Sequence, residues 1–148
     1  MDSSLSCITP IDGRYSSKTS ILRNYFSEKA LIRYRLRVEI EYFINLLNTL
    51  NIEISDNIKY NLRSFYLDIK DEYIIEIKQI ENKVKHDVKA IEIFLRSKLT
   101  NLNFNKFNEY VHFGLTSQDV NSTSYMLSLN EANNNIIKGG TEGGTDIT

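Results

Sequence analysis

The sequence predicts an all-α domain, and three observations predict it. Apolar residues recur at steps of three and four in four successive segments. Proline, which interrupts helices, occurs once in 148 residues, at Pro10, and leaves the rest of the chain open to long helices. Residues that start helices (Ser27, Ser55 or Asp56, Asp71-Glu72, Thr116) stand at the heads of the periodic stretches. Four main helices between residues 27 and 130 and no sheet are expected. A length of 148 residues is one domain's worth and permits a real core. The formal net charge of −1 makes neither nucleic acid nor an anionic membrane the default partner. The one cysteine, Cys7, cannot form an internal disulfide, which fits a reducing compartment. No apolar run approaches the roughly 18 residues of a membrane span. Met1 to Cys7 lacks the basic start and apolar stretch of a signal peptide. A cytoplasmic protein is expected.

Residues 1–18 read as irregular. Pro10-Ile11-Asp12-Gly13 is turn chemistry, and Arg14 and Tyr15 sit on its exit. A guanidinium beside a phenol suits a phosphate or carboxylate; an arginine packed on a tyrosine ring at the surface is the plainer alternative. Ser27 caps the first long element, where Ile32, Leu36, Ile40, Phe43, Leu47 and Leu50 form one face of a helix of about six turns. Arg33, Arg35, Arg37, Glu39 and Glu41 occupy much of the other side, and their mixed signs predict a solvated face rather than a nucleic-acid surface. A second helix lies within residues 51–70, with Ile58, Leu62, Phe65 and Ile69 inward. Asp71-Glu72 opens a third, with Ile74, Ile77, Ile80 and Val84 on one face, and Val88, Ile91, Leu95 and Leu99 mark a fourth. The third and fourth stripes meet at Lys85-His86-Asp87, as one long helix or as a break. Asn101 to Asn108 reads as a connection.

The stretch His112 to Asn121 carries the most specific local pattern. Gly114 permits a bend, and Thr116 and Asp119 fit the capping pattern that opens a helix continued by Val120, Thr123 and Leu127. The resulting helix start carries two hydroxyls, Thr116 and Ser117. Free amides and the helix dipole make such an end a place for an anion, although Asp119 supplies a negative charge of its own there; an ordinary capped helix is the alternative. Past Asn130 the character changes, and residues 138–148 read as a disordered glycine- and threonine-rich tail. One cysteine and two scattered histidines, His86 and His112, lack the spacing of zinc ligands, and no phosphate loop or dinucleotide fingerprint is present.

Several stretches together resemble the adenylosuccinate lyase family, within the fumarase/aspartase superfamily. They are Thr9 to Tyr15, Phe26 to Arg35, Ile77 to Glu81, His86 to Glu92 and Tyr110 to Asn121, in this order, covering roughly residues 8–130. The Asp-Gly-Arg-Tyr entry and the Lys-Ala after His-Asp-Val look like the bacterial-type branch. The resemblance implies the all-α N-terminal helical domain of that fold over residues 1–137, followed by the tail. It implies a homotetramer with composite active sites, no cofactor and no metal. The implied reaction is β-elimination of fumarate from adenylosuccinate, giving AMP, and the matching SAICAR to AICAR step. It places Arg14 and Tyr15 at the nucleotide phosphate, His86 and Asp87 in a substrate-binding pair with Lys85 where related sequences often carry Asn, and Thr116 and Ser117 at the succinyl group. His112 matches a support beside the Thr-Ser turn.

In the family a histidine general acid and a serine general base belong to the central helical domain. The resemblance fades after about Ile137, so the chain is expected to be the truncated N-terminal share, inactive alone and with part of its apolar stripes exposed. A non-catalytic nucleotide-binding or subunit-interaction module derived from the lyase is the alternative.

Overall fold

A computed structural model of the protein describes residues 3–138. All regular secondary structure among the described residues is helical, and no strand occurs there. The chain divides into two compact units, one drawn from residues up to Leu31 and from Ser128 onward, the other from Ile32–Leu127.

In the first unit residues 3–18 are irregular as expected, turns and bends broken by single helical turns at Ser3–Ser6 and Ser16–Thr19, and two further turns, Ser20–Leu22 and Arg23–Phe26, lead on toward the first long helix. The Asp-Gly turn closes as anticipated: the Asp12 carboxylate accepts from the Thr9 amide and hydroxyl, and the Gly13 amide donates to the Thr9 carbonyl at 3.1 Å. Glycine is needed at 13 for close approach, since a Cβ there would stand 2.5 Å from the Ser4 carbonyl oxygen. Asn133–Lys138 forms a short π-helical stretch. From residue 139 on, the predicted tail lies outside the described residues.

Among the described residues five long helices are present where four were expected: α1 Glu28–Thr49, α2 Asp56–Leu67, α3 Asp71–Val84, α4 Asp87–Asn101 and α5 Ser117–Ala132. The four periodic segments form α1 to α4, and the fifth is the helix that Thr116 opens. Ser27 caps α1 by accepting from the Ala30 amide at 3.1 Å, and Ser55 caps α2 by accepting from the Ile58 amide at 3.3 Å. A 3-10 helix, Asn105–Tyr110, occupies the second half of the expected connection and runs two residues past it.

The core of the second unit is made by the inward stripes. Ile32, Leu36, Ile40, Phe43 and Leu47 of α1 meet Leu62 of α2, Ile77 of α3 and Ile91, Leu95 and Leu99 of α4, all buried. Each such side chain contributes about 1.5–3 kcal/mol against exposure. Phe65, Tyr73 and Phe94 interlock at ring separations of 5.4 to 6.0 Å, joining α2, α3 and α4. Two positions leave their expected faces: Leu50 and Val84 are exposed, because α1 ends at Thr49 and Val84 is the last residue of α3. Tyr60, Leu67 and Ile75 are also exposed. Among the described residues no helix is long and apolar enough to cross a membrane.

The charged side of α1 corrects the sequence reading. Arg35 and Glu39 retain only 6% and 0% of their exposure, so the expected solvated face is in part interior. Mixed charge does not distinguish a wet face from one whose charges pair inside. Here Arg35 and Glu39 find partners on α4, on α5 and in the loop before α5.

Candidate functional site

The chain breaks between α3 and α4, and Lys85 makes the break. Its backbone is left-handed (φ 58°), and its amide donates to the Glu81 carbonyl at 2.7 Å, closing α3. Lysine is strained in this conformation, whereas Asn and Gly adopt it readily. Position 85 is therefore a backbone position. Lys85→Asn is expected to stabilise the chain by about 0.5–1 kcal/mol. A thermal melt checks this, and Lys85→Ala should show no such gain.

His86 follows as the N-cap of α4. Its Nδ1 accepts from the Lys89 amide at 3.1 Å, so the neutral ring carries its proton on Nε2, leaving an N–H for a ligand. The cap is a second role that sequence reading missed, since histidine is not among the usual capping residues. Asp87 opens α4. One carboxylate oxygen accepts from the Val88 amide at 2.8 Å, the other from Arg35 at 2.8 Å. Burial pushes the Asp87 carboxyl up, but the Val88 amide and the Arg35 guanidinium outweigh it and hold it below the usual carboxylate range. Glu81, Asn82, Lys85, His86 and Asp87 line an open depression of about 410 Å³.

The loop before α5 is bent at two left-handed residues, His112 (φ 62°) and Gly114 (φ 74°). Both ends of the bend are tied to α1: the His112 Nδ1 pairs with Glu39 Oε1, and the Tyr42 hydroxyl donates to the Phe113 carbonyl at 2.7 Å. The turn then delivers a reciprocal cap. Asp119 accepts from the Thr116 amide and hydroxyl at 2.8 and 2.9 Å, and the Asp119 amide donates back to the Thr116 hydroxyl at 3.2 Å. These two donors hold the Asp119 carboxyl below its usual range. Thr116 is thus engaged in the cap on both sides of its oxygen. Ser117 takes no part in that exchange, and the amides of Ser117 and Gln118 stand in the first turn, where helix N–H groups lack an intrahelical acceptor.

Arg35 draws these two helix starts together. Its guanidinium donates to Asp87 on α4 and, through Nε, to Asn121 on α5 at 2.9 Å. Arg35, Glu39 and Tyr42 lie at i, i+4 and i+7, so one stripe of α1 holds the start of α4, the start of α5 and the loop between. The spacing places the three on one face but gives no sign of their distant partners.

Arg14 and Tyr15 lie in the other unit. The Arg14 guanidinium donates to the Tyr15 hydroxyl at 2.6 Å, with its central carbon 4.8 Å from the ring centre. Both remain exposed. The five other candidates, Lys85, His86, Asp87, Thr116 and Ser117, belong to the Ile32–Leu127 unit. Among the described residues no group of three or more His, Cys, Asp or Glu side chains is placed to hold a metal ion.

A model of the lyase family matches residues 13–142. Adenylosuccinate lyase of Dictyostelium discoideum is 46% identical over 135 residues, which is 86% of this chain and 29% of the relative. Adenylosuccinate lyase of Buchnera aphidicola subsp. Acyrthosiphon pisum is 40% identical over 139 residues, 90% of this chain and 30% of the relative. That of Escherichia coli K12 is 36% identical over 141 residues, 91% of this chain and 31% of the relative. The chain therefore spans about 30% of the length of these curated relatives.

Proposed function

The chain belongs to the lyase family, and from that membership we propose that it is the N-terminal, substrate-binding share of an adenylosuccinate lyase. The reaction is β-elimination of fumarate from adenylosuccinate to give AMP, and the same elimination from SAICAR. The enzyme works in the cytoplasm as a homo-oligomer. The observation that carries this reading is the pairing of two helix starts, one with His86 and one with Thr116 and Ser117, in a chain 35–46% identical to adenylosuccinate lyases.

The family resemblance suggests each residue's share, and the bonding of the two helix starts supports it. The Ser117 hydroxyl and the first-turn amides of α5 bind a succinyl carboxylate, helped by the helix dipole. Thr116 shapes that turn more than it touches substrate, since its hydroxyl is engaged with Asp119. His86 offers its Nε2 proton to an anionic oxygen of the substrate. Asp87 anchors the start of α4, and Lys85 sets the backbone reversal that presents His86. Arg14 and Tyr15 bind the nucleotide phosphate. The groups that move protons at the scissile C–N bond come from outside this chain.

Titration of adenylosuccinate by calorimetry tests the assignment. Ser117→Ala is expected to weaken binding about 10-fold while changing stability by less than about 0.5 kcal/mol. Thr116→Ala should do the converse, destabilising the chain by about 1 kcal/mol through the lost cap. His86→Asn keeps a capping side chain and should lose affinity alone, whereas His86→Ala should lose both. Equal affinity in the wild type, Ser117→Ala and His86→Asn would overturn the reading.

A further inference from the structure

We propose that Arg35 is a positioning residue of this site: one buried guanidinium that sets the spacing between the start of α4, which carries His86, and the start of α5, which carries Thr116 and Ser117. The inference rests on the reading of those two helix starts as substrate contacts, and it adds a residue to which neither the family resemblance nor the sequence pattern gave a role.

The geometry is that of a clamp. Arg35 retains 8% of its side-chain exposure and donates in two directions, through its terminal nitrogen to Asp87 Oδ2 at 2.8 Å and through Nε to Asn121 Oδ1 at 2.9 Å. Asp87 adjoins His86 in sequence, and Asn121 lies one helical turn beyond Ser117. A guanidinium is planar and its donors keep fixed mutual angles, so a shift of either helix start breaks a bond to the other. A role limited to neutralising Asp87 would need only the carboxylate. The second bond, from the inner nitrogen to an uncharged amide on a different helix, has no charge to neutralise, and its consequence is registration. Burying an arginine is unfavourable unless it is well paired, and both of these bonds are needed to offset that cost. Glu39 and Tyr42, on the same stripe of α1, hold His112 and the Phe113 carbonyl, so the loop between the clamped ends has anchors of its own.

The test uses the full chain with Cys7→Ser, spin-labelled at Lys89→Cys on α4 and Ser122→Cys on α5, and reads the label distance by pulsed electron resonance together with adenylosuccinate affinity. Arg35→Lys keeps the charge but reaches one partner at a time. Asn121→Leu removes the second acceptor and leaves the ion pair, so it decides the matter if Arg35→Lys fails to fold. Both are expected to broaden the distance distribution and to weaken binding about 10-fold or more. Asn121→Asp restores an acceptor at the same place and should stay within about twofold of the parent in affinity, with the parent's distances. A merely structural arginine would not give this rescue. Unchanged distances in both Arg35→Lys and Asn121→Leu, with helicity retained, would overturn the proposal. If the parent binds no adenylosuccinate, the substrate reading fails by itself, and the distances still decide whether Arg35 sets the spacing.

Discussion

The purified chain is expected to turn over no adenylosuccinate. Elimination needs a base to remove the proton beside a carboxylate and an acid to protonate the departing nitrogen, and such groups contribute about 10²–10⁴ each. His86 cannot act as the base without giving up its cap: Nδ1 is committed to the Lys89 amide, and the proton of the neutral ring sits on Nε2. It can donate a hydrogen bond, but binding that is equally strong in ground and transition states lowers no barrier. His112 is the arrangement closer to a catalytic base, since its Nδ1 faces the Glu39 carboxylate and leaves Nε2 as an acceptor in the neutral ring. That pair is used to shape the turn before α5, and a lone base leaves the nitrogen without an acid. The assay is loss of adenylosuccinate absorbance, with chain free of host enzyme. Turnover abolished by His112→Ala or His86→Ala would refute the expectation and make that histidine catalytic. Mixing with a full-length adenylosuccinate lyase inactivated at its own Arg14-equivalent position extends the test. Activity appearing only in the mixture would mean that this chain supplies a subunit's share of a composite site.

The largest stability effect is expected at His112. Removing one partner of a buried pair costs about 3–5 kcal/mol because the other charge is stranded. Glu39 is fully buried, its Oε1 faces His112, and its Oε2 has no hydrogen-bond partner among the described residues, so His112→Ala leaves neither oxygen of the carboxylate satisfied by them. The loss should depend on pH in a definite direction. Burial pushes the Glu39 carboxyl above its usual range despite the opposing pull of His112. The folded state therefore binds this proton more tightly than the unfolded chain does. The associated stability is fully present below the unfolded pKa, near 4.5, and declines as pH rises through the higher folded value. The penalty of His112→Ala should accordingly be smaller near pH 4 than at pH 7. Asp87 and Asp119, held low, act in the opposite sense: their contribution is present above the usual aspartate range and lost as pH falls. Asp87 is common to parent and variant, and His112 is the weakest of the influences on Asp119, so the difference between two denaturation curves reports chiefly on Glu39 and its lost partner. Adding Glu39→Gln to His112→Ala should recover part of the loss, because a neutral amide replaces a stranded charge. A penalty that grows toward acid pH would contradict this account.

Elements whose chemistry is local were legible in the sequence. Ser27 and Ser55 cap the helices they were expected to cap, the four apolar stripes face inward except at their ends, Leu50 and Val84, and Thr116 with Asp119 forms the reciprocal cap their spacing implied. The same rules stop where the partner lies far along the chain. Nothing within a few residues of Arg35 announces Asp87 and Asn121, 52 and 86 positions away, and the neighbouring glutamates made a wet face the natural reading. The break at Lys85 carries neither usual signal: a lysine takes the left-handed position and a histidine serves as the cap. Arg14 and Tyr15 were singled out for a phosphate, and their mutual hydrogen bond and ring contact are also what the plainer surface pairing would produce.

The central claim is that the starts of α4 and α5 meet substrate. Titrating adenylosuccinate into isotope-labelled chain and following the backbone amide and histidine side-chain resonances tests it most directly. The largest shifts are expected at the Ser117 and Gln118 amides and at the His86 ring, and in Ser117→Ala the His86 and Gln118 shifts should together require about tenfold more adenylosuccinate. Saturable shifts confined to other residues, with those three unmoved, would contradict it.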